Sequence, residues 1–589
     1  MILRLAGCCA LAGAGIVAGA VAIFGIPAFT IASPIAPALT LVYGCIDLAR
    51  PFLFALGVIA IAVALWTYRR GKPYDGAKLA LFVVLMAGVL LARSVAAFLF
   101  CWELMALVSL FLVGTHHRMA SVRRALFSYG SVSQIGTVAI AIALVLLGSG
   151  ASSFRFDDIA HAGALLAPPM CAIVAGLALV GFGSKAGLVP LHFWLPRAHP
   201  AAPANASALL SGVMLNVAIY GLLLVTSTLV PVAPALGAVV AGAGAISAVA
   251  GALLAALESD VKRLLAYSSI ENVGIVVAAL GVYLIAHAYQ LPAVAGLALL
   301  AALLHAINHG FFKSALFLSA GTVAQNAGTS DLEHLGALSR LLPFTSIGAL
   351  IASAAAAALP PTNAFASEWL AFRAFAVAVQ SRVPLLSIVA IVEIAALALA
   401  GGLAAIAAIK LVAGGFLGAP RSTHPVARER LDAASVSVLL LAAIAIVTGL
   451  VPALLLVPLQ RVVATLGGPP AIDAGNLPVL PFAIALLPIA GAIATVAYAR
   501  SRRVQRVATW SCGSPQGSRA GYTPTALTNP IRRISGEPIA EAVERDLARG
   551  AAAVIQRASR RLRLVQGGLL RVYLVYAAAA VIVVLVIAR

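Results

Sequence analysis

The sequence predicts an all-α membrane protein that crosses the bilayer about 15 to 17 times. Of its 589 residues, 62% are hydrophobic and only 10% are charged, whereas soluble domains carry about 25% charged residues. The mean hydropathy is +1.06, and apolar runs of about 18 residues or more recur along the chain. Strand-like alternation of apolar and polar residues is absent, so we expect the spans to be helices rather than the strands of a barrel.

Each candidate span is an apolar run that is long enough, or nearly so, to cross the hydrocarbon core. In chain order the runs are 5–25, 28–45, 51–68, 78–93, 95–113, 124–148, 164–185, 204–227, 233–257, 263–285, 292–320, 344–360, 364–380, 386–416, 434–458, 476–499 and 570–588. The run 386–416 is longer than one span needs and contains two GlyGly pairs, so we expect a broken helix there.

The first run is interpreted as a span rather than a removed signal. The start, MILRLAGCCA, contains the LAGC form of a lipoprotein cleavage box, but the apolar run follows this box instead of preceding it. Apart from one adjacent pair, the cysteines show no ligand spacing, so they indicate no iron–sulfur cluster, structural zinc site or disulfide framework. The six are Cys8, Cys9, Cys45, Cys101, Cys171 and Cys512.

The connections between spans alternate in charge. Segments 69–78, 116–124 and 258–263 carry Lys and Arg, whereas 153–161 is net acidic. By the positive-inside rule the three basic segments face the cytoplasm of a plasma-membrane protein. Counting back three spans from the first of them then places the N-terminus outside.

The net charge of +20 arises in part from a basic region between Arg500 and Arg571. A basic segment beside membrane spans is more typical of the cytoplasmic side than of nucleic-acid binding, so we expect no nucleic-acid partner. Within the polar stretch 500–569, residues 538–563 have helical periodicity with Arg on the polar face. They are compatible with a helix on the membrane surface or with a solvated helix that leads into the last span.

A few ionisable residues fall inside the apolar runs, and they are the candidate functional residues: Glu103, Lys185, His305, His309, Lys313 and Lys410. A charge at the bilayer centre costs about 2.5–3.5 kcal/mol, so such residues persist where they line a pathway or pair inside the bundle. Structural alternatives exist. Glu103 can pair with Arg93, and Lys185 or Lys410 can lie at a helix end and extend to the interface.

The stretch LLHAINHGFFKSALF places His305, His309 and Lys313 four residues apart. On a helix this spacing gives a drift of about 40° and a rise of about 6 Å per step, so the three side chains form one polar stripe. Neutral imidazole both donates and accepts hydrogen bonds, and a buried lysine releases its proton more readily, so the stripe suits a proton relay. The alternative is a metal or haem site at the two histidines, although no third ligand is evident nearby.

Long ordered motifs in the chain resemble the antiporter-like subunits of respiratory complex I and the Mrp cation/proton antiporters. The motifs are FGSKAGLVPLHFWLPRAHPAAPANASALLSGVM, ESDVKRLLAYSSIENVGIV, LLHAINHGFFKSALFLSAGTV, ALPPTNAFASEWL and AAIKLVAGGFLGAPRS. The HPAAP and SEWL forms, with the tail TWSCGSPQGSRAGYTPTALTNPIRRI, point to the large antiporter-like subunit of formate hydrogenlyase and membrane-bound group 4 hydrogenases. The resemblance covers about residues 95–420, and the tail less closely.

The resemblance implies two inverted repeats of five helices, each with a broken helix near the midplane. Glu103 matches the family's membrane glutamate and Lys185 its partner lysine on the first broken helix. Lys313 matches the central lysine, and Lys410 the terminal lysine on the second broken helix. The expected organisation is N-terminal helices (1–94), a first repeat (95–257), a second repeat (258–433), C-terminal helices (434–499), a basic cytoplasmic or interfacial segment (500–569) and a final span (570–588).

One position departs from the family. Asn216 stands where many relatives carry a lysine between the two half-channels, and its amide binds water but does not titrate. The path either continues there through ordered water or is interrupted. Outside the matched set, Glu271 is expected to pair with Lys262 or Arg263, and Glu368 and Glu393 have no assigned role.

The predicted function is that of a proton-translocating membrane subunit of a redox-driven complex. The sequence contains no dinucleotide-binding, cluster-binding or phosphate-loop motif, so no cofactor is expected and electrons would flow in a peripheral redox arm formed by partner subunits. The alternatives are an Mrp-type cation/proton antiporter subunit and a scaffold that conducts nothing. Sodium would require clustered oxygen ligands, which a lysine- and histidine-rich axis does not offer.

Overall fold

The structure is a computed structural model that describes residues 2–31, 40–418, 420–421, 426–469, 479–501 and 523–535. Its α-helices are α1 Ile2–Phe24, α2 Arg50–Arg70, α3 Asp75–Leu91, α4 Val95–Val113, α5 Ala120–Gly148, α6 Phe156–Gly163, α7 Pro168–Ala186, α8 Leu195–Ala201, α9 Ala204–Leu209, α10 Leu215–Leu224, α11 Pro234–Leu257, α12 Val261–Ala288, α13 Pro292–Ala327, α14 Pro343–Ala356, α15 Asn363–Val379, α16 Pro384–Leu411, α17 Ala433–Leu450, α18 Ala453–Thr465, α19 Val479–Ser501 and α20 Pro524–Ser535. Two short strands, β1 Phe29–Ile31 and β2 Leu41–Tyr43, pair antiparallel.

The predicted all-α membrane fold is confirmed. Among the described residues, eleven helices are long and apolar enough to cross a membrane, and shorter apolar helices accompany them. In three of the eleven, at Ala204–Leu229, Val261–Ala288 and Pro292–Ala327, the most apolar window is wholly buried. A helix that is apolar on every side lies inside a bundle. These three spans therefore form the centre, and α13 packs between α12 and α15.

The predicted span 28–45 is wrong, because its described ends pair as the antiparallel strands β1 and β2, with Phe29 opposite Tyr43. The run carries Pro34 and Pro37, and Pro27 lies directly before it. Each proline lacks a backbone donor and clashes with the preceding helical turn, so an apolar composition alone cannot make this run helical.

Without a span at 28–45, the side of the bundle on which the N-terminus lies differs from the prediction. The Arg50 Nη1 atom donates to the carbonyl oxygens of Ala22 at 3.3 Å and Ile23 at 3.2 Å, so α1 ends where α2 begins. A Cβ added to Gly7 would lie 2.8 Å from the backbone nitrogen of Ala77, so α1 starts beside the start of α3. Two spans, not three, separate the N-terminus from the first basic loop. The N-terminus therefore shares that loop's side of the membrane, and the expectation that it lies opposite is wrong.

The three basic segments share one side of the bundle, as their charge predicts. Lys72 Nζ lies 3.3 Å from His116 Nε2, which joins the first two segments. At the C-terminal end of α13, the Gln325 Nε2 atom donates to the carbonyl oxygen of Arg70 at 3.4 Å. Just after α13, the carbonyl oxygen of Ser330 accepts a hydrogen bond of 2.9 Å from the backbone N–H of Val261, within the third segment.

The first expected helix break is present between α7 and α8. Helix α7 ends at Gly187, whose φ of +82° lies in the left-handed region that glycine adopts freely. Trp194, just before α8, donates its indole N–H to the carbonyl oxygen of Ser184 at 2.8 Å. This bond satisfies one of the carbonyls that the end of a helix leaves without an intrahelical partner.

The long run 386–416 differs from the expectation at its first glycine pair. Helix α16 continues through Gly401 and Gly402 to Leu411, and the second pair, Gly414 and Gly415, lies in a π-helical turn at Val412–Phe416. The irregularity is therefore confined to the end of the run, directly after Lys410.

The predicted span 434–458 is divided. Helix α17 ends at Leu450, and α18 begins at Ala453 after Pro452. The proline lacks the N–H that a continuous helix would need, so the chain turns there.

Part of the basic 500–569 segment is described. Helix α20 lies against α11 and α16. The carboxylate of Glu333 accepts hydrogen bonds from the backbone N–H and the hydroxyl of Thr525 at 2.8 and 2.6 Å, and Arg532 donates to the carbonyl oxygen of Leu257 at 2.9 Å. The helix expected at 538–563 and the span expected at 570–588 lie outside the described residues.

Candidate functional site

Lys185 lies in the last turn of α7, directly before the helix break. Its side chain is buried, with 2% of its surface exposed. The ammonium group donates to the hydroxyl oxygens of Tyr129 at 2.9 Å and Ser133 at 3.0 Å, both on α5. A cation at this end of a helix also interacts favourably with the helix dipole. The alternative in which Lys185 extends to the membrane interface is wrong.

Glu103 lies on α4 and also contacts α5. Its Oε1 atom accepts a hydrogen bond of 2.7 Å from the side-chain amide of Gln134. The alternative partner, Arg93, instead forms an ion pair with Asp157. Glu103 attracts Lys185 electrostatically, although none of the described ion pairs joins them directly. Neutral groups of α5 thus bind both charges.

The predicted polar stripe lies on α13, in the centre of the bundle. His305, His309 and Lys313 are all buried, and the unbroken helix places them on successive turns. The residues next to them in the sequence are also buried, so the stripe faces other helices rather than lipid.

His305 is hydrogen-bonded at both ring nitrogens. Its Nδ1 atom lies 2.9 Å from Ser367 Oγ on α15, and its Nε2 atom lies 3.2 Å from Asn272 Oδ1 on α12. Both nitrogens that a metal would need are thus occupied by protein groups. Among the described residues, no group of three His, Cys, Asp or Glu side chains is placed to hold a metal ion. The metal-site alternative at His305 and His309 therefore gains no support.

A polar cluster that the sequence reasoning missed surrounds His305. Asn308 donates to the carbonyl oxygen of Asn363 at 2.9 Å and accepts from the Asn363 side-chain amide at 3.1 Å. We call Asn272, His305, Asn308, Asn363 and Ser367 the asparagine–histidine cluster. The available signal was the presence of three asparagines in or beside apolar runs, since buried amides normally bind one another or the backbone.

Lys313 is the most isolated of the buried charges. None of its surface is exposed, and its ammonium nitrogen has no hydrogen-bond partner among the described residues. The charge that attracts it is Glu271 on α12. A buried cation without acceptors is costly. Attraction to this carboxylate is therefore a principal interaction that stabilises the ammonium of Lys313.

Glu271 does not pair with the neighbours that the sequence suggested. Lys262 donates to the carbonyl oxygen of Ala202 at 2.8 Å, and the ion pair of Arg263 is with Glu258 at 3.2 Å. Glu271 itself is buried, and its Oε2 atom accepts a hydrogen bond of 3.1 Å from Ser268. A second buried carboxylate, Glu368 on α15, lies close enough for mutual repulsion with Glu271.

Asn216 lies where α10 crosses α13. Its amide nitrogen donates to the carbonyl oxygens of Gly212 at 3.0 Å and Ala306 at 2.8 Å. The two helices approach closely here, since a Cβ added to Gly310 would lie 2.7 Å from the carbonyl oxygen of Gly212. Asn216 therefore ties α10 to the α13 turn that follows His305.

Lys410 is fully buried near the end of α16, and its ammonium donates to the carbonyl oxygen of Ala256 at 2.6 Å. That oxygen belongs to the last turn of α11, where carbonyls lack intrahelical partners. The alternative in which Lys410 extends to the interface is wrong. Glu393 is buried on the same helix.

His199, in the HPAAP motif, is a second group that the sequence reasoning passed over. Its ring stacks on Phe317 of α13 with centroids 4.5 Å apart. Both of its ring nitrogens are buried and have no hydrogen-bond partner among the described residues. Lys313 and Lys262 both act on it electrostatically, so His199 belongs to the same polar interior as the α13 stripe.

Comparisons with known proteins bear on the family and the fold of the chain. Residues 92–395 match the family described as NADH:quinone oxidoreductase/Mrp antiporter, transmembrane. The chain is 32% identical to Hydrogenase-4 component B of Escherichia coli, over 92% of this chain and 88% of that protein. It is 30% identical to formate hydrogenlyase subunit 3 of Escherichia coli, over 82% of this chain and 79% of that protein.

A solved structure has the same fold along nearly the whole chain. It is the membrane-bound sulfane sulfur reductase, an archaeal respiratory membrane complex. One of its chains superimposes with a TM-score of 0.76 and 22% sequence identity, over 98% of this chain and 99% of that chain. At this identity the likeness establishes the fold alone.

Proposed function

The chain belongs to the NADH:quinone oxidoreductase/Mrp antiporter family, and from that membership we propose that it translocates protons as the membrane subunit of a hydrogenase-type redox complex. Two relatives named as components of Hydrogenase-4 and formate hydrogenlyase support this choice of complex. The partners would be other membrane subunits and a peripheral arm that carries the electrons.

The observation that carries the proposal is a set of buried ionisable groups inside membrane-spanning helices. Lys185, Lys313 and Lys410 are each at most 2% exposed. Each such charge is costly in a bilayer, and charges of this kind are typical of residues that line a path for ions or protons. The proposed proton path comprises Glu103, Lys185, Asn216, His305, His309, Lys313 and Lys410.

The proposed cycle begins at Glu103 and Lys185. A redox step in the partner subunits changes the attraction between this carboxylate and this ammonium, and Lys185 then releases its proton towards α13. Lys313 receives a proton and passes one on to Lys410, with water and the imidazoles beside Lys313 carrying it between the ammonium groups. Each charge moved against the membrane potential costs about 2.3 kcal/mol per 100 mV, which the redox step must supply.

The crossing at Asn216 is the step at which the two halves of the path meet. The amide cannot itself titrate, so a proton passes this point only along water. The hydrogen bonds of Asn216 to Gly212 and Ala306 fix the width of the crossing. In this proposal Asn216 positions the helices, and Lys185 and Lys313 hold the protons.

The division into two repeats, 95–257 and 258–433, is part of the proposal. The helix break after Lys185 and the π-helical turn after Lys410 support it. Both irregularities follow a buried lysine, as expected if each half places its lysine where the helix geometry changes.

The orientation in the plasma membrane follows from the basic side. Segments 69–78, 116–124 and 258–263 lie together, and the positive-inside rule places them in the cytoplasm. The N-terminus then lies in the cytoplasm as well. Labelling of a single cysteine added at the N-terminus, with a reagent that does not cross the membrane, measures this: labelling in intact cells would contradict it.

Proton flux into liposomes that contain the assembled complex tests the function. We expect Lys313→Ala and Glu103→Gln to lower redox-driven flux by about 100-fold, the scale of losing one proton-transfer group. Lys78→Gln is the control, because this exposed lysine lies on the basic side and outside the path. Wild-type flux in both path variants would refute the proposal. Unchanged electron transfer with no flux in any preparation would indicate a scaffold instead.

A further inference from the structure

A cavity of about 430 Å³ opens between the end of α1, the start of α2, the middle of α13 and α18. We call it the α2–α18 groove. It lies on the side of the molecule opposite to the basic segments, since it includes the junction where α1 ends and α2 begins. None of the groups in the proposed proton path lines it.

The inner wall of the groove is apolar. Ile307, Leu455 and Leu459 line it and are buried. At its mouth, Ile23 and Leu454 are 63% and 56% exposed. In a chain that crosses a membrane, exposed side chains of this kind face hydrocarbon. Apolar cavities bind water poorly, so the expected occupant of the groove in a membrane is a lipid acyl chain.

The rim of the groove carries two guanidinium groups and one carboxylate. Arg50, the first residue of α2, has its Nε atom 3.0 Å from an oxygen of Asp47. Arg461, on α18, is exposed and has no ion pair or hydrogen bond among the described residues. Among the described residues that line it, the rim therefore retains one positive charge in excess, beside an apolar cavity.

We propose that the α2–α18 groove binds an anionic glycerophospholipid. One acyl chain lies along Phe54, Ile307 and Leu459, and the phosphate is bound by Arg461 with Arg50 beside it. Guanidinium groups bind phosphate oxygens in a planar, two-pronged geometry. A free phosphate would leave the apolar volume unfilled, and a neutral quinone would leave the charge at the rim without a partner. A membrane phospholipid both fills the apolar volume with an acyl chain and pairs its phosphate with the positive charge at the rim.

The test measures phospholipid retained by the full-length chain, purified with its partner subunits and washed in detergent. Native mass spectrometry then counts bound phosphatidylglycerol against phosphatidylcholine, each added in equal amount. We expect preferential retention of phosphatidylglycerol, and a loss of about fivefold in Arg461→Gln, the scale of one basic residue at an anionic membrane surface. Arg382→Gln is the matched control, because this exposed arginine lies in the loop between α15 and α16, outside the groove.

A second variant tests the apolar part without touching the charges. Leu454→Trp enlarges an exposed side chain at the mouth, so it should block the groove and lower retention of both lipids while the bundle remains folded. Equal retention of the two lipids, unchanged retention in Arg461→Gln, or equal loss in Arg382→Gln would overturn the proposal. So would a bound quinone mass, or displacement of the lipid by inorganic phosphate alone.

Discussion

The two halves of the membrane interior hold their lysines in opposite ways. Lys185 donates to two hydroxyl groups of α5, and the same helix binds Glu103 through Gln134. Lys313 has no hydrogen-bond partner among the described residues, and its opposing carboxylate, Glu271, is held by its own helix. Lys185 is thus stabilised by hydrogen bonds, and Lys313 chiefly by electrostatic attraction to Glu271.

This difference assigns different tasks to the halves. Hydrogen bonds to neutral groups hold an ammonium in one position, whereas a charge without local acceptors responds to any change in the field around it. We infer that Lys185 sets the starting state and that Lys313 is the more readily switched group. Substitutions in each half, and at the crossing between them, test this contrast.

The largest expected contrast is between removing the charges around Lys313 and removing Lys185. Lys313→Met combined with Glu271→Gln should raise the free energy of unfolding by about 2 kcal/mol, because it removes both charges of a buried pair whose ammonium has no hydrogen-bond partner among the described residues. Lys185→Met should lower the free energy of unfolding by about 2 kcal/mol, because the buried hydroxyl groups of Tyr129 and Ser133 then lose their hydrogen bonds to the ammonium. Denaturant unfolding in detergent micelles measures both. Changes of the same sign in the two variants would show that the lysines are held alike.

Tyr129→Phe tests the first half alone. The variant keeps the ring against Trp194 but removes the hydroxyl that accepts from Lys185. We expect a loss of about 1.5–2 kcal/mol in the free energy of unfolding, as for a hydrogen bond to a charged group. Tyr68→Phe, at an exposed tyrosine, is the control and should change little. Equal losses would mean that the Tyr129 hydroxyl does not stabilise Lys185.

Glu271→Gln tests the second half alone. Glutamine keeps the shape and the bond to Ser268 but removes the charge that attracts Lys313. We expect redox-driven proton flux in liposomes to fall about tenfold, equivalent to about 1.4 kcal/mol. The companion Glu368→Gln should have a smaller effect, because Glu368 acts on Glu271. If the two variants lose flux equally, the carboxylates act as one group and the contrast is incomplete.

Asn216→Ala tests the join between the halves and has the smallest expected effect. Loss of the bonds to Gly212 and Ala306 should lower the free energy of unfolding by about 1 kcal/mol. Proton flux per folded complex should remain close to wild type, since the amide positions helices in our proposal. A loss of flux much larger than the loss of folded complex would show that the Asn216 amide takes a direct part in proton transfer, beyond positioning the helices.

Much of the site was predictable because burying charge in a membrane is costly. The six ionisable candidates stood out in apolar runs, and the helices that carry them were expected at nearly the correct bounds. Glu271 was misassigned because sequence distance favours Lys262 and Arg263, whereas the packing of α12 against α13 brings it towards Lys313. The asparagine–histidine cluster and His199 were missed because neutral groups in an apolar run carry no charge signal.

The sequence by itself determined the class of protein and most of the helical spans, since these depend on local hydropathy and periodicity. It also identified the buried ionisable residues, because a charge inside an apolar run is costly in a membrane. Only the tertiary structure decided which group opposes which lysine. It also paired the described ends of the run 28–45 as two strands where a span was predicted, and so placed the start of α1 on the basic side. Pairing within a bundle depends on the rotation and crossing of helices that are distant in sequence, and no local pattern encodes these.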